Sequence, residues 1–113
     1  MIPSREETIA AIATAPGEGA ISVIRLSGPD AFFLAEKMFS APVCTFASHT
    51  AHYGKILDGK GEALDNVLLL VMKAPRSYTG EDTVEIFCHG GSLITRRVLQ
   101  RALEVGARAA QPG

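Results

Sequence analysis

Short apolar runs cut by Gly and Pro, with helical periodicity confined to two stretches, constrain this chain more than any other feature of its sequence. Thr8 to Thr14 is a largely apolar run that stops at Ala15-Pro16-Gly17-Glu18-Gly19, and Ala20 to Ser27, richer in branched residues, follows it. Such a pattern predicts strand, turn, strand. Gly28-Pro29-Asp30 then breaks the second strand and opens a helix, since Pro suits the first helical position, where its missing N–H costs nothing. The helix is predicted to run to about Phe39. Ala31, Leu34, Ala35 and Met38 recur at helical spacing with Phe32 and Phe39 beside them, so one broad face meets a core. Ser40 to His49 shows no period and reads as a surface connection.

Tyr53 to Leu57 and Val67 to Met72 read as strands around the polar turn Asp58-Gly59-Lys60-Gly61. A loop from Ala74 to Asp82 leads into the strand Thr83 to Cys88, which stops at His89-Gly90-Gly91. From Ser92 the pattern turns helical: Ile94, Val98, Ala102 and Val105 form one row, Leu99 and Leu103 widen it, and Gly106 ends it. Arg96, Arg97, Gln100, Arg101 and Glu104 are expected to face away. Ala107 to Gly113 begins another short extended stretch and stops, which suggests a piece of a longer protein. The order predicts an α+β domain with two helices packed on a mostly antiparallel or mixed sheet. With 113 residues there is room for one domain, and 47% apolar against 20% charged residues is the balance of an ordinary globular chain.

A net charge of -1 supplies no global positive field for nucleic acid, so any RNA contact would be local. Cys44 and Cys88 form neither a disulfide framework nor a zinc-type spacing, which points to a reducing cytoplasm. The polar, acidic start Ser4-Arg5-Glu6-Glu7 is unlike a signal peptide, and no apolar run approaches the roughly 18–20 residues of a membrane span. Neither export nor a membrane is expected.

The phosphate loop GxxxxGK[ST] of GTPases is absent. Gly17-Glu18-Gly19 opens no helix, so the dinucleotide fingerprint fails as well, and a plain turn is the simpler reading. His89-Gly90-Gly91 at a strand-to-helix junction could place an imidazole and bare amides beside a bound group; a sharp strand exit explains it more simply. Cys88 has no evident base and reads as a buried structural thiol. Arg25 and Glu85 stand out. Strict alternation puts Arg25 on the face of Ile21 and Val23, and Glu85 on the face of Thr83 and Phe87. Each is a charge in mid-strand. An edge strand or a mutual ion pair would account for them, and so would a pocket in which a carboxylate meets paired N–H donors and a guanidinium meets an acceptor.

Three stretches carry a family resemblance: Ala13-Thr14-Ala15-Pro16-Gly17-Glu18-Gly19-Ala20-Ile21-Ser22-Val23-Ile24-Arg25-Leu26-Ser27-Gly28, then Ala74-Pro75-Arg76-Ser77-Tyr78-Thr79-Gly80-Glu81-Asp82-Thr83-Val84-Glu85-Ile86-Phe87-Cys88-His89-Gly90-Gly91, and Gly106-Ala107-Arg108-Ala109-Ala110-Gln111-Pro112-Gly113. In this order they resemble the N-terminal domain of the MnmE or TrmE family of tRNA-modification GTPases. The resemblance implies residues 1–113 as a tetrahydrofolate-binding and dimerisation domain with an aminomethyltransferase-like fold completed by a second copy. It implies a parent that works with a flavin-dependent partner protein on the wobble uridine of tRNA, adding an aminomethyl-type group whose one-carbon unit comes from a 5-formyl- or methylene-tetrahydrofolate.

Carried onto this sequence, the family's folate contacts fall on Arg25 and Glu85. Further folate contacts, the GTP site with its magnesium and potassium, and the family's C-terminal Cys motif would lie in parts of the parent beyond this chain. No catalytic or metal-binding residue is then expected here. The other reading is a purely structural dimerisation module without a ligand.

Overall fold

The computed structural model describes residues 7–13, 21–77 and 79–110. A six-stranded sheet forms from β1 (Ile9–Ile12), β2 (Ile21–Ser27), β3 (Thr50–Leu57), β4 (Ala63–Met72), β5 (Thr83–His89) and β6 (Arg108–Ala109). Two helices, α1 (Ala31–Met38) and α2 (Ser92–Val105), pack on it. The strand order is β3-β4-β5-β2-β1-β6, antiparallel throughout except for the parallel β1–β6 contact. This is the α+β arrangement expected of the sequence. The turn foreseen at Ala15–Gly19 lies outside the described residues.

Alternation decides which side is covered. Ile24, Leu26, Val84, Ile86, Val67, Leu69 and Val71 are buried beneath the helices, and Leu34, Ala35, Met38, Val98 and Ala102 meet them. In-register rows knit this face together: Leu69 pairs with Ile86 and Ile86 with Ile24. The opposite face carries Tyr53, Leu68 and Ile21, which are 75%, 44% and 60% exposed. Among the described residues no helix lies on it.

Several boundaries differ from expectation for local reasons. Pro29 sits in the turn before α1, which starts at Ala31; the Ala31 N–H donates to the Gly28 carbonyl, and Thr8 Oγ1 accepts from the Asp30 N–H at 2.9 Å. The connection Ser40 to His49 contains a 3₁₀ turn at Val43–Thr45. β3 begins at Thr50 and β4 at Ala63, because backbone pairing extends through polar residues that carry no hydrophobic alternation.

Arg101 is a plain correction. Instead of facing away it lies along α2 with its side chain 15% exposed, and its Nε donates to the Leu57 carbonyl at 2.8 Å. Its other nitrogens reach the Lys37 carbonyl and Glu104. The guanidinium thus joins the C-terminal end of α1, the end of β3 and α2. Arg101→Ala is expected to lower unfolding free energy in urea by about 1–2 kcal/mol, through lost packing as well as lost hydrogen bonds. Unchanged melting would show that the contacts contribute nothing net. No helix among the described residues is long and apolar enough to cross a membrane.

Candidate functional site

The uncovered face of the sheet has three cross-strand rows at its centre. Ser27 and Thr83 begin the first with Met72; Arg25, Glu85 and Leu70 form the second; Val23, Phe87 and Leu68 the third, which Tyr53 extends. Sequence parity had placed Arg25 and Glu85 on like faces of their own strands, and the β2–β5 register sets them directly opposite one another. Neither strand is an edge, since β2 lies between β1 and β5, and β5 between β2 and β4. The edge-strand explanation of the two charges therefore falls.

The ion pair is formed. Arg25 Nε donates to Glu85 Oε2 at 2.8 Å and Nη2 reaches the same oxygen at 2.6 Å. The side chains are 27% and 13% exposed, so both charges are partly withdrawn from water yet reachable from this face. Two guanidinium nitrogens on one oxygen leave Oε1 with its own lone pairs for a further donor. Flanking apolar residues, Phe87 and Leu70, lower the local polarity around that carboxylate.

Beyond Thr83 lies a hydroxyl cluster that periodicity alone does not disclose. Ser27 Oγ donates to Thr79 Oγ1 at 2.9 Å and reaches Glu81 Oε1 at 3.2 Å, while Thr79 and Thr83 share a 2.8 Å contact. Ser77 Oγ donates to the Glu81 carbonyl, and the Ala74 N–H donates to Asp82 Oδ1. These bonds tie the loop after the cis Ala74–Pro75 peptide to the ends of β2 and β5. The cluster satisfies itself and so serves to hold the loop against the site.

At the other end, Asp65 was overlooked because the hydrophobic pattern starts the strand at Val67 and leaves Asp65 outside it. Its Oδ2 accepts from the His89 N–H at 2.9 Å and its Oδ1 lies 2.7 Å from His89 Nδ1. The expected bend at Gly90-Gly91 is present: Gly91 has a positive φ of 113° and precedes α2. Thr95 Oγ1 returns to the Gly91 carbonyl and meets Ser22 Oγ at 2.7 Å, joining α2 to β2. No group of three His, Cys, Asp or Glu residues able to hold a metal occurs among the described residues.

Cys88 is buried at 2% exposure, as the sequence suggested, and Cys44 is exposed. Burial, with the Asp65 charge adding to it, pushes the Cys88 thiol from its usual 9.0 up to about 12. The folded chain thus keeps a proton that the unfolded chain releases. Stability is fully held below pH 9.0 and lost as pH climbs toward about 12, at no more than about 1.4 kcal/mol per pH unit. Urea melts across that window should show a steeper fall in stability for wild type than for Cys88→Ala. Parallel pH dependence in the two proteins would refute this.

Residues 8–113 match the family described as GTP-binding protein TrmE N-terminus. Proteins described as tRNA modification GTPase MnmE are similar over nearly the whole chain. That of Protochlamydia amoebophila (strain UWE25) is 61% identical over 107 residues, covering 95% of this chain and 23% of the relative. Those of Chlamydia felis and Symbiobacterium thermophilum are each 53% identical, over 109 and 112 residues, covering 96% of this chain and 24% of each relative. The chain spans about a quarter of the length of these curated relatives.

Proposed function

The chain belongs to the family of TrmE N-terminal domains, and from that premise we propose that it is the folate-binding, self-pairing domain of a cytoplasmic tRNA-modification GTPase. The observation that carries the reading is the Arg25–Glu85 pair, two charges opposite one another at the centre of an uncovered, otherwise apolar sheet face. A reduced pterin presents an exocyclic amine and a ring N–H side by side, and a carboxylate accepts such a pair at two points. Arg25 holds Glu85 in orientation, and its planar fork matches an oxygen acceptor of the ligand. The ligand is a 5-formyl- or methylene-tetrahydrofolate, the source of the one-carbon unit.

Within the parent, GTP hydrolysis with magnesium and potassium belongs to a separate domain. The tRNA and the flavin-dependent partner meet the full-length protein, and the product is a wobble uridine modified at C5. A second copy of this domain covers the apolar face. Tyr53, Leu68 and Ile21 form an exposed patch of the kind that marks association surfaces. Light scattering well above micromolar concentration should therefore report about twice the 12.0 kDa mass of one chain. A persistent monomer would contradict the pairing.

Calorimetry with 5-formyltetrahydrofolate tests the ligand. Glu85→Ala should lose about 1.5–3 kcal/mol, roughly ten- to a hundredfold in affinity, because the pterin donors are left without their charged acceptor. Arg25→Lys should also weaken binding, since a point charge does not reproduce the planar fork. The closed ion pair favours one competing reading, a structural dimerisation module with no ligand. Equal affinity in wild type and folded Glu85→Ala would show that Glu85 is only a structural charge, and no folate binding, by this chain or by one extended past Gly113, would decide for the structural module.

A further inference from the structure

One charge sits in a row that otherwise belongs to the core. Alternation along β4 turns Asp65, Val67, Leu69 and Val71 toward the helices, and the last three are buried. Directly across from Asp65 on β3 stands Ile56, which is 0% exposed, and the Asp65 side chain is itself only 9% exposed. A valine there would continue the row. A carboxylate withdrawn this far from water is costly unless its oxygens are satisfied, and one residue satisfies both. Oδ2 accepts from the His89 N–H at 2.9 Å, and Oδ1 lies 2.7 Å from His89 Nδ1.

These bonds stand where a backbone rung belongs. β4 and β5 keep one register from Met72–Thr83 to Leu68–Phe87, and among the described residues their ladder ends there. Hydrogen-bonded rungs fall on every second pair of an antiparallel ladder, so the next one in this register would set Asn66 opposite His89. β5 remains paired with β2 as far as His89, and β4 with β3 back to Ala63, so both strands continue past the point where they part. The His89 N–H that would donate to the Asn66 carbonyl donates to the Asp65 carboxylate instead. Between the parted strands lies a cavity of about 240 Å³, with Asn66, Leu68, Phe87 and His89 in its lining.

We propose that this fork is a two-state joint, with Asp65 as the spacer that holds β4 and β5 apart and an Asn66–His89 rung as the alternative state. Both states need the same donor, the His89 N–H, so each excludes the other. Room and a hinge are present. Closing the fork would consume the gap, and the chain leaves His89 through Gly90 and Gly91, the latter at a φ of 113°, residues that absorb backbone rotation at little cost. The movement would not stop at the strand. The Gly91 carbonyl accepts from the N–H and Oγ1 of Thr95, whose hydroxyl meets Ser22 Oγ. The joint thus couples the end of the sheet to the first turn of α2.

Nuclear Overhauser spectra of the full chain read the joint directly. In the closed state Val67 and Cys88 become a non-hydrogen-bonded pair with Cα atoms about 4.5 Å apart, like Leu69–Ile86 within the ladder. In wild type the Val67–Cys88 Hα cross-peak should be much weaker than that of Leu69–Ile86. Asp65→Ala removes the spacer and should bring the two peaks to similar intensity, with exchange of the His89 amide within about threefold of wild type because its N–H has a new acceptor. Asp65→Val should do the same, and it extends the apolar row if the alanine variant does not fold. A wild-type peak already as strong as that of Leu69–Ile86 overturns the proposal, because the rung would then form with the spacer in place. An unchanged peak in the folded variants also overturns it; His89 exchange about tenfold faster would then show a fork that gapes and an Asp65 that serves only as a tie. Unfolding of both variants overturns it as well, since the closed fork would then be no state of the folded chain.

Discussion

Gly28→Ala is expected to lower the stability of this chain by roughly 3 kcal/mol or more, a fall in Tm of more than about 10 °C. Gly28 has φ of +143°, a conformation that an L side chain adopts only under strain. A Cβ there would stand 2.7 Å from Thr8 Cα and 2.9 Å from the Glu7 carbonyl oxygen. Those are backbone atoms at the start of β1 and cannot swing aside as a side-chain tip could. The Gly28 N–H also donates to the Asp82 carbonyl, so displacement would pull on the loop that precedes β5. Gly61→Ala is the control. Gly61 shares a positive φ, +82°, but a Cβ would meet nothing within 4 Å, so only the conformational cost of about 1 kcal/mol remains. Urea melts giving equal losses for the two variants would show that the clash is relieved.

Ile86→Ala should cost about 2–5 kcal/mol, through the lost transfer free energy of the side chain and the cavity it leaves. Ile86 is the middle of the row Leu69–Ile86–Ile24, all three 0% exposed, on the strands at the heart of the sheet. Neighbours on both sides are held by backbone pairing and capped by helices, so little collapse can fill the space. Ile86→Val, which removes one methylene, should cost about 0.5–1.5 kcal/mol. Chemical denaturation that places both variants within 0.5 kcal/mol of wild type, a threshold at about the level of ordinary surface changes, would contradict this packing account.

The covered side of the sheet was legible because burial writes itself into periodicity. Val84, Ile86 and Cys88 alternate, and Leu34, Ala35 and Met38 repeat at helical spacing. Pairing partners were not. Parity gives the face of Arg25 and of Glu85, while their adjacency depends on a β2–β5 register spanning 60 residues of sequence, which local pattern does not encode. β3 was shortened at its N-terminal end because Thr50-Ala51-His52 belong to an edge strand, where one side of the ladder is open and hydrophobic demand is weak. Arg101 was misplaced for a different reason. A long side chain can lie flat with its stem buried and its charge on backbone carbonyls, and a helical wheel reads such a residue as outward. Asp65 and His89 lie 24 residues apart and become partners only because the ladder between β4 and β5 ends early.

The parallel seam between β1 and β6 has a consequence for synthesis. Arg108 and Ala110 donate backbone hydrogen bonds to the Thr8 and Ala10 carbonyls, so β1 acquires its outer neighbour from β6, which is synthesised much later. The meander β3-β4-β5 joins sequence neighbours and can assemble while translation continues. β2 must wait for β5, and β1 stays an open edge until residue 110 has emerged. During that interval an Ile- and Ala-rich strand offers unpaired amides to any passing edge. A nascent chain stalled before β6 is therefore expected to be the species that calls on chaperones, and one elongated past β6 is not.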